Sequence, residues 1–571
     1  MRRDGPGRGR AGVVLLAALL APLPCGAVND AGLDEDLRPA RAVAADGYAD
    51  YLAGRYAAQR GDMQEAAQRL DAALRHDGDD RELLTQAFLS AVMAGKPEAA
   101  DLARRLPDNA VAQLLLADHE AKAGRWEAAE ARYAALPQQG IAQVLRPLLV
   151  AWAQLGAGHT EAALGTLRPM VEGQQFRGVY ALHAALIADL GGRPGEAARL
   201  YRAAQAEYGT PNLRLGQILA GWHARRGVMA EAQAVLQETL RGGELAMARP
   251  ALEAAVMDRA VRSATDGIAE AYLAMAATLR QQNATDVAQV VLRLALDLRP
   301  DFTPARLLMA DLQDAIRPEA ALATLEQVPD SDPLAAVVGI RRAALLVAMD
   351  RRDDAATVLE RLAELHPDRP EPLAQLGEVQ RRRGRFAEAA ATYSRALERV
   401  PDPDAVPWGL HYERGVAFDR SGRWDRAEAD FKRALELSPD QPYVMNYLAY
   451  SWTEQGRNLD EARRMLERAA VLRPDDGAIA DSLGWVLYRQ GELDEAIRRL
   501  ERAVELQPGD SIINGHLGDA YHAVGRTQEA VFQWRRALLL KPEPDEAARI
   551  EAKLQALLAA QMTPAALSPA R

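Results

Sequence analysis

The sequence predicts an all-α protein, a right-handed α-solenoid of about fourteen helix pairs. Two observations lead to this prediction: a regular spacing of prolines and glycines, and a composition that favours helix. Only 5% of the 571 residues are aromatic, and Ala, Leu, Arg and Glu, which are strong helix formers, are abundant. A chain of this length is too long for one compact core. A solenoid removes that difficulty, because each unit packs only on its neighbours.

Prolines and glycines recur at regular intervals in the C-terminal half of the chain. Most intervals within each series are 34 or 35 residues long. The prolines are Pro367, Pro401, Pro439, Pro474, Pro508 and Pro542. The glycines are Gly384, Gly422, Gly456, Gly491 and Gly525. A fixed period of this length indicates a repeat architecture.

The chemistry of one unit, residues 478–508, explains the spacing. Leu483, Gly484 and Leu487 share one face of a first helix, and the small residue lets a second helix approach closely. Gly491 ends the first helix, since glycine adopts the left-handed conformation at low cost. The second helix presents small and large residues on one stripe until Pro508 stops it. Each unit is therefore a helix–turn–helix.

This pattern resembles the tetratricopeptide repeat (TPR) family, which has Leu-Gly, an aromatic residue, two alanines and a proline at set positions. The match recurs as Gly415, Phe418, Ala427, Phe431, Ala434 and Pro439, and again as Gly518, Tyr521, Ala530, Trp534, Ala537 and Pro542. The resemblance covers most of residues 47–542. It implies a superhelix whose first helices line the concave face.

The N-terminus is typical of a secretory signal. Four arginines within the first ten residues precede the short apolar run "AGVVLLAALLAPL", and small residues lie near Ala27. We therefore expect residues 1–27 to be a signal peptide and 28–46 a linker, and the protein to be exported and periplasmic. Cys25 leaves an alternative open, an outer-membrane lipoprotein acylated at this cysteine. Residues 22–24 lack the small residue that a lipidation signal places before its cysteine.

The remainder of the chain divides by the regularity of its repeats, and no segment in it is apolar enough to cross a membrane. We expect a degenerate N-terminal array at 47–241, an extra helix or hinge at 242–266, a C-terminal array at 267–542, a capping helix at 543–561 and a loose tail at 562–571. In the array at 267–542, Asn283 stands where the turn glycine is expected.

Motifs for catalysis, metal binding and cofactor binding are missing from the sequence. None of the nine histidines stands in a metal-ligand spacing, and no glycine-rich phosphate loop, nucleophile elbow or zinc-protease motif occurs. The net charge of −11 is spread along the chain without a basic stripe, which disfavours nucleic acid as a partner. We expect a protein that is not an enzyme and has no cofactor or metal.

The concave positions of the C-terminal repeats carry an unusual number of aromatic residues. Rings interspersed with amide and carboxylate groups suit extended peptides, so these positions form a candidate protein-binding groove. The alternative is that the rings only fill gaps where the superhelix tightens. The candidate residues are Tyr412, Tyr443, Asn446, Tyr450, Asp481, Trp485, Tyr488, Asp519 and His522.

The predicted function is a TPR scaffold or adaptor that binds other proteins in the cell envelope. Residues 440–525 also resemble the envelope TPR proteins and lipoproteins of Gram-negative bacteria. That group includes adaptors that present substrates to a carboxyl-terminal processing protease. Two alternatives stay open: a subunit of an envelope assembly or polysaccharide-export complex, and a self-associating structural array. The expected partners are proteins, as extended peptides or as a protease or assembly complex.

Overall fold

A computed structural model describes residues 38–209 and 212–562, and these form thirty α-helices. Twenty-eight of the helices make fourteen successive pairs, and the other two are α13 and α30. No strand occurs in the described ranges. The predicted all-α solenoid of about fourteen helix pairs is therefore confirmed. The predicted signal peptide, residues 28–37 of the predicted linker and residues 563–571 lie outside the described residues.

Contacts between helices divide the chain into two compact units, with the division after Leu362. The first unit holds α1 (Arg38–Gln59), α2 (Met63–His76), α3 (Arg81–Ala94), α4 (Ala99–Arg104), α5 (Ala110–Lys122), α6 (Trp126–Ala134), α7 (Gly140–Gly156), α8 (Thr160–Glu172), α9 (Arg177–Leu190), α10 (Pro194–Tyr208), α11 (Leu213–Arg225), α12 (Met229–Thr239), α13 (Arg249–Ala254), α14 (Ala264–Gln281), α15 (Thr285–Leu298), α16 (Thr303–Asp314), α17 (Pro318–Glu326), α18 (Ala335–Ala348) and α19 (Arg352–Leu365), whose last three residues belong to the second unit.

The second unit holds the more regular repeats. Its helices are α20 (Glu371–Arg382), α21 (Phe386–Glu398), α22 (Trp408–Arg420), α23 (Trp424–Leu437), α24 (Pro442–Glu454), α25 (Leu459–Leu472), α26 (Gly477–Gln490), α27 (Leu493–Leu506), α28 (Ser511–Ala523), α29 (Thr527–Leu539) and α30 (Pro544–Met562).

In each regular pair, the second helix packs closely against a small residue of the first helix. A Cβ added at Gly484 would lie 2.6 Å from Leu500 Cγ, and one added at Gly415 would lie 2.7 Å from Phe431 Cε1. Real Cβ atoms do not approach this closely, so glycine is needed for the two helices to pack at this distance.

The turn between the helices of a pair requires a left-handed residue. Gly491 has φ of 84°, and Asn283, in the predicted turn position of its repeat, has φ of 59°. Asparagine tolerates this conformation better than most residues with a side chain. Asp510 caps the following helix through the backbone N–H groups of Ile512 and Ile513.

Some pairs of the first unit are shorter than the 34-residue period. The second helices α4, α6 and α17 span 6, 9 and 9 residues. The segment 242–266 lies inside this unit. It holds a 3₁₀ turn (Glu244–Ala248), the short helix α13 and the first residues of α14.

Helix α14 packs inside the first unit against helices that are far away in sequence. Gly267 of α14 lies directly under the indole of Trp152 of α7, and Tyr272 of α14 donates its O–H to the Asp118 side chain of α5 at 2.9 Å. Lys122 of α5 donates to Asp297 of α15 at 2.9 and 3.2 Å. The later helices therefore occupy the space between the first helices of the earlier repeats.

The Asp118 carboxyl is the polar centre of this packing. It is almost fully buried and accepts the O–H groups of Tyr133 at 2.6 Å and of Tyr272. Burial raises the pKa of Asp118 to about 8, and the two hydrogen bonds only partly oppose that rise. The folded protein therefore keeps this carboxyl protonated at a pH where the unfolded chain has lost the proton.

We expect the stability of the first unit to fall as the pH rises from about 4 to about 8. Unfolding releases the Asp118 proton in this range. The free energy of unfolding therefore falls by at most about 1.4 kcal/mol for each pH unit. Asp118→Asn removes the ionisation and should flatten this dependence. The measurement is the free energy of unfolding in urea between pH 5 and 8.

Asp101→Asn is the matched control, because the side chain of Asp101 is exposed in the same unit. It should leave the pH dependence unchanged. Equal pH dependence in the wild-type protein and Asp118→Asn would show that Asp118 is not protonated in the folded protein in this pH range.

Candidate functional site

The first helices of the second unit lie side by side and form one continuous face. Tyr447 of α24 donates its O–H to Asp419 of α22 at 2.8 Å, and Arg381 of α20 pairs with Glu413 of α22 at 3.1 Å. Because successive first helices contact one another directly, they lie on the inner side of the curved array. We call the side chains of this face the inner groove.

Three stacked rings form the centre of the inner groove. Trp485 of α26 lies between Tyr488, at 4.8 Å with an interplanar angle of 9°, and His516 of α28, at 4.0 Å with an angle of 11°. We call these three residues the ring stack. The indole N–H of Trp485 donates to Glu454 Oε1 at 2.6 Å, so the stack also connects α26 to α24.

His516 forms a buried ion pair with Asp481. Its Nδ1 lies 2.9 and 3.0 Å from the two carboxylate oxygens. Burial opposes protonation of His516, but the charge and the hydrogen bond of Asp481 outweigh burial and raise the pKa of the imidazole above its usual value. Asp481 is 4% exposed and Trp485 is 8% exposed. Both of these predicted groove residues therefore contribute mainly to packing.

Helix α24 carries the accessible part of the inner groove. Tyr443, Asn446 and Tyr450 follow one another at spacings of three and four residues, which places them on one helix face. Tyr443 is 46% exposed, and Arg473 lies over its ring at 5.6 Å. The Asn446 Oδ1 atom is buried and has no hydrogen-bond partner in the described part of the chain. Burial, followed by the charges of Glu454 and other carboxylates, raises the pKa of the half-buried Tyr450.

The other predicted groove residues lie outside the ring stack. Tyr412 packs in a second aromatic group, 6.1 Å from Tyr447 and 5.9 Å from Phe431. Asp519 accepts the indole N–H of Trp534 at 2.8 Å and pairs with Lys553 of α30 at 2.7 Å. His522 is exposed, with its ring 5.3 Å from that of Trp534. The structure therefore brings Tyr450, Asp481, Trp485 and Tyr488 together around His516 and keeps Tyr412 apart.

Sequence reasoning missed His516 and Tyr447 as members of this face. Both lie two residues before the small residue of their repeat, Gly518 and Ala449. At that position the side chain contacts the first helix of the preceding repeat, as the pairs His516–Asp481 and Tyr447–Asp419 show. The 34-residue period could have identified them, because the same position recurs in every unit.

Helix α30 continues the register of the repeats. Ile550 lies 34 residues after His516, is fully buried and lies close to Gly515 of α28. Lys553 lies 34 residues after Asp519 and pairs with it. Helix α30 therefore takes the place of the first helix of a further unit and covers the end of α28.

The described residues contain no group of three or more His, Cys, Asp or Glu placed to hold a metal ion. None of their helices is both long and apolar enough to span a bilayer.

Family comparisons identify repeats in the second unit and at the end of the first. Models described as tetratricopeptide repeat match residues 412–479, 455–497 and 482–549, and another model of the same description matches 346–411. Tetratricopeptide repeats are therefore present in residues 346–549, as predicted. Such repeats generally bind other proteins and have no catalytic role.

A short stretch of the chain is 44% identical over 50 residues to the TPR repeat-containing protein PA4667 of Pseudomonas aeruginosa. The match spans 9% of this chain and 8% of that protein.

Two solved TPR structures match about a third of the chain. YrrB, described as a TPR protein with an unusual peptide-binding site, is 20% identical over 34% of this chain and 99% of its own, with a TM-score of 0.28. MamA from Desulfovibrio magneticus RS-1 is 20% identical over 30% of this chain and 94% of its own, with a TM-score of 0.27.

We expect Asp481→Asn to lower the pKa of His516 by more than about one unit. The amide removes the charge that favours the imidazolium, so burial then dominates. In the wild-type protein the ion pair stabilises the fold at acidic pH, and this contribution is lost as the pH rises through the raised pKa. The measurement is an NMR titration of the His516 ring.

Asp475→Asn is the control, because the Asp475 side chain is 86% exposed in the same repeat. It should leave the titration of His516 unchanged. An unaltered His516 pKa in Asp481→Asn would show that the ion pair does not control the ring.

Proposed function

We propose that the protein is a non-catalytic TPR scaffold of the cell envelope that binds extended segments of other proteins in its inner groove. The exposed face of α24 makes the first contact, and the ring stack holds that face in place. The observation that carries this proposal is the contrast between the two units. In the first unit, later helices pack against the first helices α5 and α7, whereas α24 presents an exposed tyrosine with a half-buried asparagine and tyrosine beside it.

Around Trp152, the first helices of the first unit are covered by the chain itself and leave little room for a peptide. Trp152 is covered by Gly267 and donates its indole N–H to His183 at 3.0 Å. His183 is also buried, and burial lowers its pKa to about 3, so the ring is neutral and accepts this hydrogen bond. These groups, which lie on the first helices α7 and α9, are already satisfied within the chain.

The face of α24 has the chemistry that extended peptides need. The half-buried Asn446 side chain adds an amide group, which can hydrogen-bond to the backbone of a peptide. Tyr443 and Tyr450 provide flat apolar surface with a polar end, and such residues contribute strongly to protein interfaces. Burial of the ring stack beneath them limits the reorganisation that binding would require.

The N-terminal sequence supports an envelope location. A positively charged start, a short apolar run and small residues near Ala27 favour export to the periplasm, with acylation at Cys25 as the alternative. Together with the resemblance of residues 440–525 to envelope TPR proteins, this favours an adaptor that presents substrates to a periplasmic protease. A subunit of an envelope assembly or polysaccharide-export complex and a self-associating array are the alternatives.

A photo-crosslinking amino acid in place of Tyr443 should trap the partner in cells. Tyr443 is 46% exposed on the same face of α24 as Asn446 and Tyr450, so we expect covalent adducts with a small number of proteins. Adducts with a protease and its substrates support the adaptor, and adducts with export subunits or with a second copy support the alternatives. The measurement is mass spectrometry of the purified adducts.

Two substitutions in the inner groove test whether it is the surface that binds the partner. Adding Asn446→Ala and Tyr450→Ala should reduce adduct formation by about tenfold or more, equivalent to about 1.4 kcal/mol. The same crosslinker at Phe532, which is 62% exposed on the second helix α29, is the control and should not trap these partners. Equal adducts from positions 443 and 532 would exclude the groove as the binding surface.

A further inference from the structure

A cavity of about 410 Å³ lies in the first unit, between the start of α2, the end of α3 and helices α15 to α17. Three arginines line it: Arg293 of α15, Arg306 of α16, and Arg317, the residue just before α17. The cavity exists because the later repeats fold back on the earlier ones. Arg317 makes part of this contact, with one nitrogen 3.3 Å from a carboxylate oxygen of Asp62.

Among the described side chains, Arg293 contacts no carboxylate, and the nearby charge of Asp297 only partly offsets the effect of burial on its guanidinium. Its guanidinium makes no hydrogen bond or ion pair with the residues that the structure describes. It lies against Gly95 at the end of α3, where a Cβ would come within 2.7 Å of the guanidinium carbon. Gly95 has φ of 65° and therefore suits this position both in conformation and in size.

Arg306 is held only by neutral groups. It donates to the carbonyl oxygen of Pro300 at 2.8 Å and to Gln327 Oε1 at 2.6 Å. Burial lowers the pKa of both Arg293 and Arg306, and the charge of Arg293 lowers that of Arg306 further. Two guanidinium groups thus face the same cavity, half-buried and mutually repelling, which destabilises the empty state.

Apolar, amide and hydroxyl side chains make up most of the rest of the lining. Gln289, Gln313 and Thr324 line the cavity together with Gln327. Three acidic residues also line it: Asp286 and Glu319 are exposed, and the half-buried Asp62 pairs with Arg317. Amide groups can donate hydrogen bonds to an anion, and a guanidinium matches a carboxylate or a phosphoryl group with two parallel hydrogen bonds.

We propose that this cavity binds an oxyanion, a carboxylate or phosphoryl group, held by Arg293 and Arg306. This site is separate from the inner groove of the second unit and does not depend on the function proposed for it. An anion bound here neutralises the two guanidinium groups and connects α15 and α16 to the end of α3. It therefore stabilises the closed arrangement of the first unit.

The test is isothermal titration calorimetry of the full chain with two probes, inorganic phosphate and succinate, at constant ionic strength. We expect one site per chain for at least one probe. Arg293→Gln and Arg306→Gln should each weaken it by about tenfold or more. Binding of phosphate alone identifies a phosphoryl ligand, binding of succinate alone a carboxylate ligand, and binding of both a general oxyanion site.

Arg202→Gln is the control, since Arg202 is exposed on α10 of the same unit. It should bind as the wild-type protein does. Arg293→Gln should unfold at the same temperature as the wild-type protein or above it in the absence of anion, because it removes one of two repelling charges and breaks no hydrogen bond of the guanidinium. The proposal is overturned if neither probe binds at a single site, or if binding is the same in Arg306→Gln, Arg293→Gln and Arg202→Gln.

Discussion

The close approach of two helices at a small residue is the constraint on which the regular repeats depend. At Gly484 and Gly415 the partner side chain lies where a Cβ would stand, so the two helices of a pair have a fixed distance and rotation. That rotation decides which side chains face the partner helix, which contact the next first helix and which reach the inner side. The ring stack and the face of α24 both follow from it.

The same unit produces different surfaces in the two parts of the chain. In the first unit, shortened second helices and the segment 242–266 accompany long-range packing, in which α14 and α15 contact α3, α5 and α7. Aromatic and polar groups such as Trp152 and Asp118 then form their hydrogen bonds with other helices of the same unit. In the second unit the repeats keep their period, and Tyr443 remains exposed. Position in the repeat thus determines where a side chain points. Packing of the later helices determines whether that side chain stays accessible to a partner.

Most of the fold could be predicted from the sequence because repeat contacts are local. The helix pairs, the left-handed Asn283 and the helix α30 all follow from a 34-residue period and from turn chemistry. The hydrogen bond between Tyr272 and Asp118 joins residues 154 apart, and no local pattern indicates it. At the candidate site, Tyr450, Asp481, Trp485 and Tyr488 lie together, but Trp485 and Asp481 are covered by His516 from the next repeat. The sequence shows which residues share a face, but not how much of it the neighbouring helix covers.

The most direct test is whether the later helices of the first unit, such as α15, contact its earlier repeats. A carbodiimide joins an amine to a carboxylate without a spacer, and the chain has only five lysines, so its products are few. The structure places Lys122 Nζ 3.2 Å from Asp297 and Lys553 Nζ 2.7 Å from Asp519. Cross-linking mass spectrometry of the native monomer should find both the 122–297 and the 519–553 links. Recovery of the 519–553 link, with Lys122 joined only to carboxylates of its own and adjacent repeats, would contradict the account.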